Sequence, residues 1–295
     1  MKKILVAGAT GYLGGHIIRE LKRQHYFVRA LARNTTKLKQ LRDDIDEAVE
    51  AEVTKPETLD GCCQEIDTVI SSIGITRQKD GLTYMDIDYQ ANLNLLKEAQ
   101  RSGVRKFIYI FIFNAEKISK LKIIAAKQKF AEALRQSGMD YCLVKPTGFF
   151  SDMDEFLAMA QKGSAYLFGT GNFKMNPIDG TDLAKACVAA IENDEKEFDI
   201  GGPEILTHQQ IAEAAFKVLH EPARIRHIPL IIKNIVLFLL HTFTRVQTYG
   251  PVEFLMTVLT MDMVAPPYGS HKLEDHFREK AAGMETEKPL HKHQR

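Results

Sequence analysis

The chain has 295 residues, of which 45% are hydrophobic and 26% are charged, and its formal net charge is +1. These proportions are ordinary for a globular protein with a large apolar core. A nearly neutral chain gives no electrostatic reason to expect nucleic acid or a strongly acidic partner. Four cysteines are too few for a disulfide framework, and the chain enters an apolar run at once, so we expect free thiols and a cytoplasmic protein.

Strand and helix patterns alternate along the first half of the chain. Short apolar runs rich in β-branched residues predict strands near 3–7, 27–32, 47–50, 67–71, 106–111 and 141–144. Amphipathic segments predict helices near 12–24, 35–43, 56–63, 85–102 and 122–137. This alternation is typical of a doubly wound parallel sheet with helices on both faces.

The second half of the chain is less regular. Helices are predicted near 152–162, 181–192 and 208–219. The apolar stretch 229–240 is too short to span a bilayer; it predicts a helix that covers an apolar pocket, with contact to a membrane surface as the alternative. The charged end of the chain predicts a flexible tail over 276–295. The ten histidines are dispersed, so no metal site is predicted.

The first predicted strand runs into a glycine-rich loop with a spacing of three residues. Glycines between a strand and a helix allow a tight turn and the close approach of a pyrophosphate, which lies on the free N–H groups of the helix N-terminus. We therefore predict a dinucleotide site. The predicted contacts from this loop are Gly8, Thr10, Gly11, Tyr12, Leu13 and Gly14.

The sequence Gly-Ala-Thr-Gly-Tyr-Leu-Gly over 8–14 resembles the short-chain dehydrogenase/reductase superfamily, in particular its extended and atypical branches. The resemblance covers residues 1–275. Within the superfamily, the chain is similar to the NmrA-like and isoflavone-reductase-like groups. It implies an α/β fold, a Rossmann-type doubly wound parallel sheet with a small C-terminal substrate lobe. The NAD(P)-binding domain would occupy 1–150, with a return of the chain around 176–202, and the substrate-side lobe would occupy 151–275.

The segment after the second predicted strand favours NADP(H) over NAD(H). No carboxylate stands between Gln24 and Gln40, whereas Arg33 and Lys37 are cationic. An Arg at the end of this strand pairs with the 2′-phosphate of NADP, while a carboxylate binds the ribose hydroxyls of NAD. A solvated basic patch is the alternative interpretation of the two cations.

The resemblance implies further cofactor contacts along the chain. Glu52 and Val53 would border the adenine, and Ser72 lies in a turn of small residues that lets the cofactor pass. The segment Val144-Lys-Pro-Thr-Gly-Phe-Phe150 is similar to the Arg-Pro-Thr/Gly loop that wraps the nicotinamide, with Lys145 at the usual Arg position. The cofactor contacts implied by this loop are Pro146, Thr147 and Gly148. In a later matching segment, Asp182 would cap a helix.

The catalytic pattern of the superfamily is incomplete in this chain. Members use a Tyr-x-x-x-Lys pair, in which Tyr supplies a proton and Lys holds the nicotinamide ribose. Lys127 stands at the Lys position, but Ile123 replaces the Tyr and Phe111 replaces a Ser. The resemblance therefore implies a catalytic and ribose-binding role for Lys127, and the alternative is a surface lysine on an amphipathic helix.

Three functions are compatible with this pattern. The first is an NADPH-dependent reductase of a hydrophobic small molecule, because hydride transfer depends mainly on the cofactor and on the placement of the substrate beside it. Its pocket would lie between Phe111, Phe149, Phe150 and 229–268. A non-catalytic NADP(H)-binding redox sensor or assembly factor would explain the missing Tyr and Ser. A nucleotide-sugar epimerase or dehydratase is the third possibility, and it ranks last because those relatives keep the Tyr that this chain lacks. The substrate and the oligomeric state do not follow from the sequence.

Overall fold

The computed structural model describes residues 1–76 and 81–286. Its strands are two to seven residues long. In chain order they are β1 (Lys3–Ala7), β2 (Phe27–Ala32), β3 (Glu47–Glu50), β4 (Thr68–Ser71), β5 (Lys106–Ile110), β6 (Asp140–Pro146), β7 (Ala165–Phe168), β8 (Lys174–Met175), β9 (Glu197–Ile200), β10 (Leu206–Thr207) and β11 (Ile225–Ile228).

The α-helices are α1 (Tyr12–Arg23), α2 (Asn92–Arg101), α3 (Lys122–Arg135), α4 (Phe150–Gln161), α5 (Gly180–Ala189), α6 (His208–Val218), α7 (Leu230–Phe243), α8 (Val246–Val258) and α9 (Leu273–Thr286). Three segments form 3₁₀ helices, at Thr35–Asp44, Pro56–Leu59 and Ala115–Ile118. A π-helical segment, Met85–Ala91, leads directly into α2.

Seven strands form one parallel sheet in the order β3-β2-β1-β4-β5-β6-β9. Chain order reverses at β1, which pairs with β2 on one side and β4 on the other. In open parallel sheets, ligands bind in the crevice at the carboxyl ends of the strands where this reversal occurs. The predicted α/β fold class is confirmed, and the glycine-rich loop lies at the reversal.

Apolar clusters cover both faces of the sheet. Ile17 and Ile18 of α1 pack with Leu183 of α5 on one face. Leu95 of α2 and Phe130 of α3 belong to the cluster on the other face, which we call the α2–α3 cluster. Burial on both faces explains why the middle positions of the central strands are apolar on both sides rather than alternating, although β4 and β5 also bury Thr68, Ser71 and Lys106.

The lobe after β6 has its own apolar cluster and departs most from the sequence prediction. Helices α8 and α9 and the two-stranded pairs β7/β11 and β8/β10 were not predicted. The prediction of a flexible tail from residue 276 is wrong for 276–286, because α9 continues to Thr286 and Phe277 is fully buried in the lobe cluster. The rest of that tail, 287–295, lies outside the described residues.

The apolar stretch predicted as a helix over 229–240 is α7. Over 1–76 and 81–286, the structure contains no helix with the length and apolar character needed to cross a membrane. All four cysteines are free and buried.

Candidate functional site

Gly8 and Gly14 shape the loop between β1 and α1. Gly8 has a φ of 84°, and a Cβ there would lie 2.6 Å from Ser72 Oγ. A Cβ at Gly14 would overlap the carbonyl oxygen of Gly8 and lie 2.8 Å from its carbonyl carbon. The turn is closed by a 2.9 Å hydrogen bond from Gly11 N to Gly8 O. Side chains at Gly8 and Gly14 would therefore prevent this turn.

The loop leaves the N-terminus of α1 open. Gly11 is its N-cap without a side-chain cap, and the first turn contains no acidic residue. Thr10, Gly11 and Tyr12 are exposed, whereas Leu13 is buried, so that Leu13 can offer only its backbone. Free N–H groups and the positive end of the helix dipole suit the pyrophosphate of a dinucleotide.

Tyr12 connects this loop to α5. Its hydroxyl accepts a 3.1 Å hydrogen bond from Gly180 N, and its ring centroid lies 6.0 Å from that of Phe149. Burial raises the pKa of Tyr12 to about 12. A Cβ at Gly180 would lie 2.9 Å from the Tyr12 ring, so glycine allows this close packing. Tyr12 thus fixes the start of α1 against α5.

Arg33 and Glu52 lie just beyond the carboxyl ends of β2 and β3. The Arg33 side chain is 61% exposed, and its Nε is 3.9 Å from Glu52 Oε2. Glu52 also accepts a 3.1 Å hydrogen bond from Thr54 Oγ1. Val53 packs partly buried against the α2–α3 cluster. The exposed guanidinium remains accessible to a phosphate at this edge of the sheet.

Ser72 follows β4 and lies beside Gly8. Both its N–H and its hydroxyl donate to the carbonyl oxygen of Ala7, at 3.0 and 3.2 Å. These bonds tie the end of β4 to the end of β1. The predicted small-residue turn therefore adjoins the glycine-rich loop.

Lys127 forms a buried ion pair with Asp88. The Nζ of Lys127 lies 2.8 Å from Asp88 Oδ1, and the two side chains are 14% and 0% exposed. Asp88 belongs to the π-helical segment before α2, a geometry often found at functional sites. Lys127 is therefore not the solvated surface lysine of the alternative interpretation.

Gly74 provides the space for this pair. A Cβ at Gly74 would lie 2.7 Å from Lys127 Nζ and 2.8 Å from Asp88 Oδ1. Gly74 stands two residues after Ser72, which contacts the glycine-rich loop. The ion pair thus lies beyond the carboxyl end of β4, at the same edge of the sheet as the glycine-rich loop that would hold a dinucleotide.

Burial and charge act together on this pair. Burial raises the pKa of Asp88, and the Lys127 ammonium only partly opposes it. Burial disfavours the Lys127 charge, but the Asp88 carboxylate and the Tyr109 hydroxyl together outweigh it and raise the pKa of Lys127. The centroid of the buried Tyr109 ring lies 5.6 Å from Lys127 Nζ, and burial raises the pKa of Tyr109 to about 12. Lys127 is therefore held as a cation.

The side chains at the standard Tyr and Ser positions are core residues. Ile123 is 4% exposed and Phe111 is 8% exposed, and both belong to the α2–α3 cluster. Phe150 is 2% exposed and belongs to the lobe cluster. The predicted pocket between Phe111 and Phe150 is wrong in this respect, because the two rings are packed into different cores.

The loop after β6 is tied to the returning chain. Thr147 donates its hydroxyl to Asn176 O at 2.7 Å and its N–H to Ile200 O at 3.1 Å. Gly148 O accepts a 2.9 Å hydrogen bond from Ile178 N. Pro146 is the last residue of β6 and pairs with Ile200 of β9. These bonds fix the loop at the same sheet edge as the glycine-rich loop.

Lys145 and Asp182 both have structural partners. Lys145 Nζ lies 3.1 Å from Asp199 Oδ1, which holds it against β9. Asp182 does not cap its helix as expected, because Asp179 caps α5 by accepting from Thr181 N at 2.7 Å. Asp182 instead accepts from the N–H groups of Ser270 and His271, at 2.8 and 3.0 Å.

A Rossmann sheet with an open helix N-terminus at its reversal point defines a dinucleotide-binding protein. A family model described as NAD(P)H-binding matches residues 8–194, and the chain belongs to this family. Membership confirms the resemblance to atypical short-chain dehydrogenases/reductases and the expectation of a nicotinamide dinucleotide. The sequence predicted no site role for Asp88, Gly74 or Tyr109. Asp88 lies in none of the motifs, whereas Gly74 ends the small-residue turn Ser71–Gly74 and Tyr109 belongs to the segment Tyr109–Phe111 at the usual Ser position.

Curated relatives cover most of the chain at low identity. Photosystem II assembly factor Ycf39 of Synechocystis is 28% identical over 286 residues, which span 92% of this chain and 86% of the relative. The divinyl chlorophyllide a 8-vinyl-reductase of Zea mays is 27% identical over 325 residues, covering 96% of this chain and 81% of the relative. One relative is thus named as an assembly factor and the other as a reductase.

The fold is also similar to solved structures. A nucleoside-diphosphate-sugar epimerase from Staphylococcus aureus superposes with a TM-score of 0.73 at 17% sequence identity, covering 94% of this chain and 100% of the epimerase. At this identity the likeness concerns the fold alone. It supports the architecture and leaves the chemistry open.

Proposed function

We propose that the protein is an NADPH-dependent reductase of a hydrophobic small molecule. The observation that carries this proposal is the buried Lys127–Asp88 pair. Burial of two charges has a large desolvation cost and is a poor way to stabilise a core. A lysine held as a cation beside Gly74, next to the dinucleotide loop, is explained if its ammonium also donates to the nicotinamide ribose.

The other residues of the site have simple roles in this proposal. The N-terminus of α1 holds the pyrophosphate, and the loop Pro146–Thr147–Gly148 limits the nicotinamide position. Bound NADPH supplies the hydride, so the chain has mainly to orient cofactor and substrate. Ile123 and Phe111 cannot transfer a proton; it therefore comes from water or from a group of the substrate.

The reductase is tested by isotope transfer. With NADPH deuterated on one face of the nicotinamide, we expect a single face to deliver deuterium to a product from a panel of enones, quinones and vinyl-substituted aromatics. Mass spectrometry of the products measures the transfer. NADPH bound tightly with no deuterium in any product, from either labelled face, would argue against the reductase.

Arg33 selects the cofactor in this proposal. Arg33→Ala is expected to weaken NADPH binding by on the order of tenfold to a hundredfold, because a charge-assisted contact with the 2′-phosphate is lost. NADH binding should change little. Calorimetric titration of both cofactors gives the ratio of dissociation constants, with Lys37→Ala as the neighbouring cationic control. A wild-type protein that binds NADH as tightly as NADPH would show the assignment to be wrong.

A non-catalytic NADP(H)-binding assembly factor is the second candidate. It is favoured by the burial of apolar Ile123 and Phe111, which leaves no proton donor at either standard position. The relative named as an assembly factor supports the same interpretation. This candidate predicts NADPH binding without isotope transfer, so the experiment on the reductase separates the two.

A further inference from the structure

Helix α7 presents an apolar surface that no other part of the described chain covers. None of its residues is buried. Seven of its large apolar side chains are 42% to 78% exposed. They are Leu230, Ile231, Ile232, Ile235, Phe238, Leu239 and Phe243. Leu255 of α8 adds another, 50% exposed. Single exposed apolar residues are normal, but a contiguous patch of this kind marks a binding surface.

The surroundings of this patch are basic. Residues 221–253 carry four cationic side chains, Arg224, Arg226, Lys233 and Arg245, against two acidic ones, Glu221 and Glu253, in a chain whose net charge is only +1. Glu253 Oε1 lies 3.0 Å from Nε2 of His241, and its side chain is 17% exposed. The three arginines are exposed. The apolar patch is thus bordered by positive charge, which favours an occupant with negative charge near its apolar part.

The cation within α7 is turned away from solvent. Lys233 Nζ donates a 2.6 Å hydrogen bond to Thr260 Oγ1, and the side chain is only partly exposed. Burial lowers the pKa of Lys233. With Lys233 folded back, aliphatic and aromatic side chains form most of the exposed surface of α7, which also includes the polar residues Asn234, His241 and Thr242. The arginines lie at its two flanks.

The length of α7 decides between spanning and lying on a bilayer. Its 14 residues extend about 21 Å at 1.5 Å per residue. The hydrocarbon core of a bilayer is about 30 Å thick. An apolar helix of this length with basic flanks fits the interface between headgroups and acyl chains, where it lies parallel to the surface.

We propose that α7, together with Leu255 of α8, docks onto a lipid bilayer that contains anionic headgroups. Phe238 and its apolar neighbours enter the acyl boundary, while Arg224, Arg226 and Arg245 contact lipid phosphates. A second copy of the chain is disfavoured, because a symmetric contact would bring together two borders that each carry more basic than acidic side chains over 221–253. Docking is independent of whether the protein is a reductase.

The absence of tryptophan from the chain allows a direct test. Phe238→Trp places a single indole in the patch at a position that is 70% exposed. Tyr26→Trp is the matched control, since Tyr26 packs with the cluster on the opposite face of the sheet from α8. The probe is a phosphatidylcholine vesicle with about one third phosphatidylglycerol.

Vesicles are expected to shift the Phe238→Trp emission to the blue and to quench it when the acyl chains are brominated. The Tyr26→Trp emission should not change. The double variant Arg224→Glu, Arg226→Glu should lower the partition coefficient about tenfold or more on anionic vesicles, with unchanged circular dichroism and NADPH affinity. The proposal would be overturned if vesicles neither shifted nor quenched the emission of Phe238→Trp. It would also be overturned by an emission already blue-shifted without lipid in a protein that sediments as a dimer, which would make the patch a self-contact.

Discussion

Gly14→Ala is expected to abolish NADPH binding and to destabilise the protein by about 3 kcal/mol. The new Cβ would overlap the carbonyl oxygen of Gly8 and approach Ala9 Cα to 2.9 Å. The three atoms nearest to it all belong to the backbone, so rotation of a side chain cannot relieve the overlap. The loop must open, and the N–H groups that would hold the pyrophosphate then lose their common direction. Urea unfolding and calorimetric titration with NADPH measure the two effects.

Gly15→Ala is the matched control, one residue further along α1. A Cβ there would meet only side-chain atoms, the nearest of them at 3.8 Å, in ordinary contact distance. Replacement of glycine by alanine inside a helix should raise stability by up to about 1 kcal/mol. We expect NADPH binding to be retained. Equal losses in both variants, or normal binding by Gly14→Ala, would contradict the backbone-overlap explanation.

The Rossmann core is predictable from the sequence because its signals are local. Strands buried on both faces form near-continuous apolar runs, as Ile4–Ala7 does. Helix α1 shows its buried side through Ile17, Ile18 and Leu21. The glycine spacing also predicts a turn whose geometry the structure shows in Gly8 and Gly14.

The C-terminal lobe is not predictable in the same way. Strands β7 and β11 have four residues each, and their pairing joins segments far apart in the chain. Helix α9 contains many charged residues, which suggest a solvated tail, and a few apolar contacts such as Phe277 decide its position. Tertiary packing overrides local propensity in such short or mixed segments.

The candidate site likewise contains residues that local sequence signals predict and residues that only tertiary packing brings together. Lys127 could be found from a motif, but its partner could not, because Asp88 comes from another helix and its burial depends on the packing of α3 against the π-helical segment. The predicted pocket failed for a related reason. Phe111 and Phe150 were grouped by their predicted place near the carboxyl ends of strands, whereas the clusters that bury them are set by α3 and α6.

Lys127→Met is expected to destabilise the protein by about 3–5 kcal/mol at neutral pH, because it leaves the carboxylate of Asp88 buried without a counter-charge, with only the 3.5 Å hydrogen bond from Ile75 N. The loss should be smaller in acid. Burial raises the pKa of Asp88 above the value of about 3.9 for an unfolded chain, so the folded variant keeps its proton while the unfolded chain releases it. Relative to wild type, stability therefore falls as the pH rises above about 4. Urea unfolding at several pH values measures this dependence.

The double variant Asp88→Leu, Lys127→Met separates stability from function. An apolar pair removes both desolvation costs, so most of the lost stability should return. Together with the single variant Asp88→Leu, the four proteins form a double-mutant cycle. NADPH affinity and deuterium transfer should remain low, because the donors that hold the nicotinamide ribose are still missing. A double variant that regains stability together with wild-type NADPH binding and deuterium transfer would make Lys127 a structural residue. The reductase proposal would then lose the observation on which it depends.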